Sequence, residues 1–293
     1  MKIAIFGAGN IGAAVANDLI VSDSLSQKLD SIALVDAVEQ IARGKALDLA
    51  HTAAVYERDM RISGSTEPSD IAEAGIVVIT AGHARKAGQS REELFGSNAA
   101  IVAQCARDAA KYAPNSIIVI VTNPLDMMVY VALQASGFAK ERVIGMAGEL
   151  DGARLKFELA RASGKEISSM RSAIVGPHSE EMIALKNELG FEISDEIFGR
   201  AVQNTKRAGA QIGELLGTSA YLAPAAGIVK IIKYILFDTC GTLACCVADR
   251  SGVPLGRFVS VGKMGAIERN FAYSGEFYAQ LERMRERIAG LKF

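Results

Sequence analysis

Residues 1–12, MKIAIFGAGNIG, decide how this chain folds. An apolar run, KIAIF, passes directly into glycines at 7, 9 and 12, and the Ala-rich stretch Ala13 to Ile20 follows. Strand, glycine turn and helix in that order form a cradle for a dinucleotide. Gly7 permits the tight turn, Gly9 lets the backbone approach a pyrophosphate with no Cβ between them, and Gly12 lets the helix pack closely on the strand. The helix start, at Asn10 and Ile11, then presents free N–H groups and a partial positive charge to the phosphates.

The next strand, SIALVD, ends on Asp36, close to the roughly 20-residue offset at which an acidic residue meets the ribose. Its carboxylate can accept bonds from ribose hydroxyls and repels a 2′-phosphate. The adjacent Ala37 and Val38 supply no cation, so NAD is expected in preference to NADP.

Moving outward, β-branched runs near 60–63, 76–80, 117–121 and 142–145 alternate with helix-like segments. This alternation predicts a parallel sheet covered on both faces. Thr80, Ala81 and Gly82 follow the fourth strand, Val121 and the triplet Thr122 to Pro124 close the fifth, and GMAGELD follows the sixth. All these motifs fall at carboxyl ends of strands, the edge where open α/β sheets bind ligands. The fold class is therefore α/β, with a doubly wound parallel sheet of the Rossmann type over residues 1–144. A C-terminal α+β substrate domain is expected over 145–293. It reads as a helix near 150–163, the strand RSAIVG, helices at 195–216 and 224–236, strand-like sequence over 242–267 and an amphipathic helix at 275–291. No Pro/Ser-rich linker separates the halves, which predicts a fixed interface between them.

A net charge of −1 and a pI near 6.4 exclude nucleic acid and anionic membranes as expected partners, while small anions remain suitable ligands. Met1 and Lys2 lead straight into the first strand, so no secretory leader is expected. The apolar stretch 221–237 is interrupted by Pro224, Lys230 and Lys233 and reads as a core helix. Cys105, Cys240, Cys245 and Cys246 match neither a disulfide scaffold nor a zinc spacing; buried thiols in a reducing cytoplasm, and no metal, are expected.

Between the fourth strand and the next helix lies GHARKAGQSREEL, with no large apolar residue before Leu94. It cannot bury itself and is expected to form a movable flap, closed by a Ser90/Glu93 capping box. Two arginines on it, Arg85 and Arg91, suit an anionic substrate at the ligand edge. Asp151 and Arg154 share one helix face, which allows either a local ion pair or a carboxylate-binding arginine beside an acid that orients a base. Of three histidines, His51 falls within a helix and His83 on the flap. His178 follows the apolar strand RSAIVG and so has the rigid support that a proton donor needs.

GAGNIG, LVD, DLAH, TAG followed by RKxGxSR, VTNPLD, GMAGELDGARL, the GxH turn and GTSAYLAPAA, in this order over nearly the whole chain, resemble the lactate/malate dehydrogenase family, closest to its lactate-dehydrogenase-like malate dehydrogenases. The resemblance implies NAD-dependent hydride exchange between malate and oxaloacetate. It implies that Asn123 contacts substrate and nicotinamide, Arg154 binds the C1 carboxylate, and Asp151 and His178 form the proton-transfer pair. It also implies that Arg91 polarises the carbonyl on loop closure and that Arg85 reads the second carboxylate, with Ala220 the small residue of the malate-type branch. The cofactor set is then Gly7, Gly9, Asn10, Ile11, Gly12, Asp36, Thr80, Ala81, Gly82, Asn98, Val121 and Asn123. Such proteins form dimers or tetramers, and the small-residue helix 41–54 is suited to pack on a partner or on the core. One motif departs: GPHSEE stands where the family usually reads GEHGDS. Pro177 and Ser179 change the local backbone, leaving another 2-oxo acid such as pyruvate as an alternative substrate. A non-catalytic NAD sensor would have a broken Asp151, Arg154 and His178 set, and none of the three is missing.

Overall fold

The computed structural model describes residues 1–83, 91–291 and 293. Its first half is built from β1 (Lys2–Phe6), α1 (Asn10–Val21), α2 (Asp23–Ser26), β2 (Ser31–Val35), α3 (Glu39–Val55), β3 (Arg61–Ser65), β4 (Ile76–Ile79), α4 (Arg91–Tyr112), β5 (Ile117–Ile120), α5 (Leu125–Ser136) and β6 (Val143–Gly145). The second half contains α6 (Gly148–Ser163), β7 (Ile174–Val175), β8 (Ile183–Ala184), α7 (Asp195–Leu216), α8 (Leu222–Leu236), β9 (Gly241–Ala248), β10 (Pro254–Gly262), β11 (Gly265–Glu268) and α9 (Gly275–Ile288).

The strands β3-β2-β1-β4-β5-β6 lie side by side and all parallel. In β1, β2, β4 and β5 both faces of the strand must be apolar, because helices cover both sides of the sheet. The burial agrees: Ile3, Ala4, Ile5, Ile32, Ile76, Val77, Val78, Ile79, Ile118, Val119 and Ile120 have at most 1% exposure between neighbouring strands. On one side α1, α3 and α8 bring Leu19, Ile20, Leu49, Ile228 and Ile232 onto the sheet; on the other, α4 and α5 bring Val102, Ala106, Met128 and Val129. Each such fully buried side chain contributes about 1.5–3 kcal/mol relative to exposure.

The sheet continues past β6. Antiparallel β9, β10 and β11 join it through the pair Gly145 and Cys246. A Cβ on Gly145 would stand 2.6 Å from Val129 and 2.9 Å from the Cys246 side chain, so glycine is what allows this join. Two smaller apolar clusters complete the second half, one under α9 and one between α6 and α7.

Three expectations change in detail. Of RSAIVG only Ile174 and Val175 form a ladder, pairing with β8, because Gly176 turns away with φ +86°. The 224–236 helix starts earlier, at Leu222, since Pro224 sits in the first turn where its missing N–H has no intrahelical use. Cys105, Cys245 and Cys246 are buried, but Cys240 is exposed on the turn before β9. His51 lies on the exposed face of α3. Among the described residues no helix is long and apolar enough to cross a membrane.

Candidate active site

The glycine turn after β1 has the form its sequence demands. Gly7 has φ +96°, and a Cβ there would meet Thr80 Oγ1 at 2.7 Å. A Cβ on Gly12 would stand 2.0 Å from the Gly7 carbonyl oxygen, whereas one on Gly9 would meet nothing within 4 Å among the described residues. The open space at Gly9 is where a phosphate can approach the backbone. The N-cap Gly9 has no side chain to cap α1, and no acidic residue stands in its first turn, so the amides around Asn10 and Ile11 suit an anion. Asp36 lies just beyond β2, its Oδ2 accepting from the Ala8 amide at 2.7 Å and its Oδ1 from the Val38 amide at 3.0 Å. These bonds tie the ribose-side acid to the glycine turn and leave each oxygen a further lone pair. The residues present thus fit a dinucleotide.

Side chains stitch the neighbouring strand ends together. Thr80 donates to the carbonyls of Phe6 and Gly7, and Thr122 donates to that of Ala81. Asn98, fully buried on α4, donates to the carbonyls of His83 and Asn123 and accepts the His83 amide. Both Nδ2 donors and one Oδ1 lone pair are engaged by the protein, so Asn98 shapes the floor under Gly82 and Asn123. Val121 is buried in the same floor, and Asn123 is exposed at the edge, where its Oδ1 accepts the Leu125 amide.

Across from the cradle, α6 and the turn after β7 bring together the candidate residues of the second half. Asp151 Oδ2 lies 2.7 Å from His178 Nδ1, and Asp151 Oδ1 lies 3.3 Å from Arg154 Nη1. The local ion pair read from the Asp151 and Arg154 spacing is present, and the same acid lies against the histidine ring. Asp151 is 2% exposed, while His178 and Arg154 each keep 17% of the side chain exposed. The backbone at 178 is fixed because Gly176 exchanges two hydrogen bonds with Gly256 and Ser179 donates to the Pro177 carbonyl at 2.8 Å. Pro177 takes part in this turn through its carbonyl. Burial opposes a charge on His178, as does Arg154, but the charge and hydrogen bond of Asp151 together with the charge of Asp126 hold the imidazole above its ordinary pKa. The proton sits on Nδ1 when the ring is neutral, which directs Nε2 outward as the exchanging atom.

Arg85 and the Ser90 cap lie outside the described residues, as does the side chain of Arg91. His83 is exposed beside Gly82, with its backbone held by Asn98. Two buried carboxylates join the site without having stood out in the sequence. Asp126 opens α5 inside the apolar run LDMMVYVAL, and Glu149 stands two residues before Asp151. An acid in a helix face otherwise made of buried residues is the available signal for each. Glu149 accepts the Ala244 amide of β9 at 3.0 Å and pairs with Lys230 of α8, anchoring the start of α6.

A parallel sheet with an open helix start at one strand edge, together with a carboxylate-oriented histidine, defines a dinucleotide-dependent oxidoreductase. The chain matches the lactate/malate dehydrogenase NAD binding domain over residues 1–145 and the lactate/malate dehydrogenase alpha/beta C-terminal domain over residues 148–261. It belongs to the lactate/malate dehydrogenase family. Its curated relatives include the malate dehydrogenase of Bacteroides fragilis, 34% identical over 99% of this chain and 98% of that protein, and that of Nitratiruptor, 39% identical over 91% and 87%. Among solved structures it is similar to the malate dehydrogenase of Aeropyrum pernix, with TM-score 0.91, 32% identity and coverage of 99% and 98%. It is also similar to the Archaeoglobus fulgidus malate dehydrogenase in complex with NADH, with TM-score 0.89, 29% identity and full coverage of both chains.

Proposed function

We propose that this chain is an NAD-dependent malate dehydrogenase that interconverts (S)-malate and oxaloacetate. The observation that carries the reading is the 2.7 Å contact between Asp151 and His178, with Arg154 on the other oxygen of the same carboxylate. NADH, when bound, supplies the hydride. His178, charged and held by Asp151, donates its Nε2 proton to the C2 oxygen of oxaloacetate, and the neutral ring takes it back in the reverse direction. Arg154 grips the C1 carboxylate through its planar fork. Asn123 meets the charge that grows on the C2 oxygen. Gly7, Gly9, Asn10, Ile11, Gly12 and Asp36 hold the dinucleotide, and Thr80 to Gly82 with Val121 and Asn123 line its nicotinamide end. We assign the flap arginines by resemblance: Arg91 polarises the carbonyl and Arg85 reads the second carboxylate. Residues 1–144 form the nucleotide half and 145–293 the substrate half.

NADH oxidation measured side by side with oxaloacetate and pyruvate tests this reading. Oxaloacetate is expected to be preferred, and Arg85→Gln is expected to lower its kcat/KM by about tenfold to a hundredfold while raising that of pyruvate. Preference for pyruvate in the unaltered protein would assign it to the lactate-type branch instead.

We further infer a cytoplasmic homodimer or homotetramer. Four free thiols support a reducing compartment, and exposed Val38, Ile41, Leu47, Val55 and Tyr56 along and beside α3 support a face covered by a second copy. Light scattering on the purified chain tests the assembly.

A further inference from the structure

Behind the His178 and Asp151 pair stands a second carboxylate that the chemistry above does not use. Asp126 is 6% exposed, and its Oδ2 accepts the backbone N–H of His178 at 2.9 Å. Its Oδ1 has no hydrogen-bond partner among the described residues. A buried carboxylate supported by one backbone N–H and a neighbouring thiol is expensive to keep, whereas asparagine could accept the same N–H without a charge. The charge is therefore the feature that needs a purpose.

The surroundings indicate one. The turn at 178 is pinned on both sides, by the Gly176 and Gly256 bridge and by the Ser179 bond to Pro177, and its inward N–H goes to Asp126. Among the described residues, the charged groups acting on the His178 ring are Asp151 and Arg154 from α6 and Asp126 from α5. On its other side Asp126 meets the Cys246 thiol of β9, and Arg257 of β10 acts on that thiol. Burial, with Asp151, raises the Asp126 carboxyl above its ordinary value; the His178 charge, the Cys246 thiol and the His178 amide oppose that rise and favour the ionised form. Asp126 and the imidazole thus stabilise each other's charges.

We propose that Asp126 is a second positioning residue for the proton donor: it fixes the backbone of residue 178 through the N–H and helps Asp151 to hold the ring charged. This deepens the proposed function and rests on His178 being the proton donor.

The test is an NMR titration of the full-length protein labelled at the histidine ring carbons, which carries only three histidines. The His178 signal is the one missing from His178→Asn. Asp126→Asn is expected to lower the His178 midpoint by about one pH unit, and Asp151→Asn by more. In Asp126→Asn, kcat for oxaloacetate should fall at neutral and higher pH while KM and NADH binding hold. A purely structural Asp126 would lower Tm and leave the midpoint in place, and an unchanged midpoint overturns the proposal. The titration needs no substrate, so it discriminates even if the protein fails to reduce oxaloacetate. Should Asp126→Asn not fold, the wild-type His178 amide decides in protein labelled with [15N]histidine. A deshielded, exchange-protected amide that moves with the ring's titration supports the proposal, and an unprotected one at an ordinary shift overturns it.

Discussion

His178 Nδ1 and Asp151 Oδ2 are 2.7 Å apart, and the acid is sealed from solvent at 2% exposure while the ring keeps 17%. The pair therefore combines an orienting charge that water does not screen with a proton-exchanging nitrogen that a substrate can reach. That asymmetry sets how the protein should respond to pH.

Burial alone would lower the His178 pKa, but Asp151 and Asp126 together more than offset it, so the folded value lies above the ordinary 6.5. Reduction of oxaloacetate needs the charged ring, so its kcat/KM should be flat at low pH and fall as pH rises through that elevated value. Oxidation of malate should show the opposite limb. Asp151→Asn should move both limbs to lower pH, read from pH profiles in each direction. The linked stability has the same sign: it is fully present below the unfolded value near 6.5 and is lost as pH rises through the folded one.

Removing the ring separates binding from chemistry. In His178→Asn the cradle is untouched, so NADH fluorescence titration should give an unchanged affinity, while kcat drops by about two to four orders of magnitude. Retained turnover would place the proton donor elsewhere, with His83 the other histidine at the ligand edge.

Much of this site is legible in residues near one another in sequence. Gly7, Gly12 and Asp36 are fixed by local rules, since a tight turn, a close helix and a strand-end acid each depend on a few neighbours. His178 stands out because an apolar strand supports it, while its distance to Asp151, across 27 positions, is visible only in the folded chain. The rest depends on distant pairing. Nothing local announces that β9 extends the sheet through Gly145 and Cys246, or that Asp126 lies under the His178 amide 52 positions away. RSAIVG looks like a full strand because burial by α6 and α7 imposes the same apolar run as a ladder does.

Gly9 and Gly12 should part under substitution. A Cβ at Gly12 lies 2.0 Å from the Gly7 carbonyl, so Gly12→Ala must push α1 off β1 and should destabilise by about 1–3 kcal/mol. At Gly9, where φ is −71° and an added Cβ would meet nothing within 4 Å among the described residues, Gly9→Ala should leave Tm unchanged and weaken NADH binding. Thermal melts with and without NADH distinguish them; an unchanged NADH affinity in Gly9→Ala would move the phosphates away from this turn.

Asp36 carries two loads, the Ala8 and Val38 amides and the expected ribose hydroxyls. Asp36→Ala should raise KM for NADH by about tenfold to a hundredfold, as expected for losing hydrogen bonds to a charged acceptor. It should also narrow the preference over NADPH, because the repulsion of a 2′-phosphate disappears. Paired KM measurements with the two coenzymes check both effects.

The anchor at the start of α6 can be tested through stability. Glu149 is only 5% exposed at the side chain, and it holds both the Ala244 amide and Lys230, itself 42% exposed. Lys230→Met leaves a buried carboxylate with one partner and should destabilise by about 1–3 kcal/mol. Adding Glu149→Gln removes the stranded charge and keeps an acceptor for Ala244, so the double variant should recover part of that loss. Denaturant melts of the two single variants and the double close the cycle. Because Glu149 lies two residues before Asp151, Lys230→Met should also reduce kcat more than KM as the helix start loosens, and additive single effects would show that the pair does not act as one anchor.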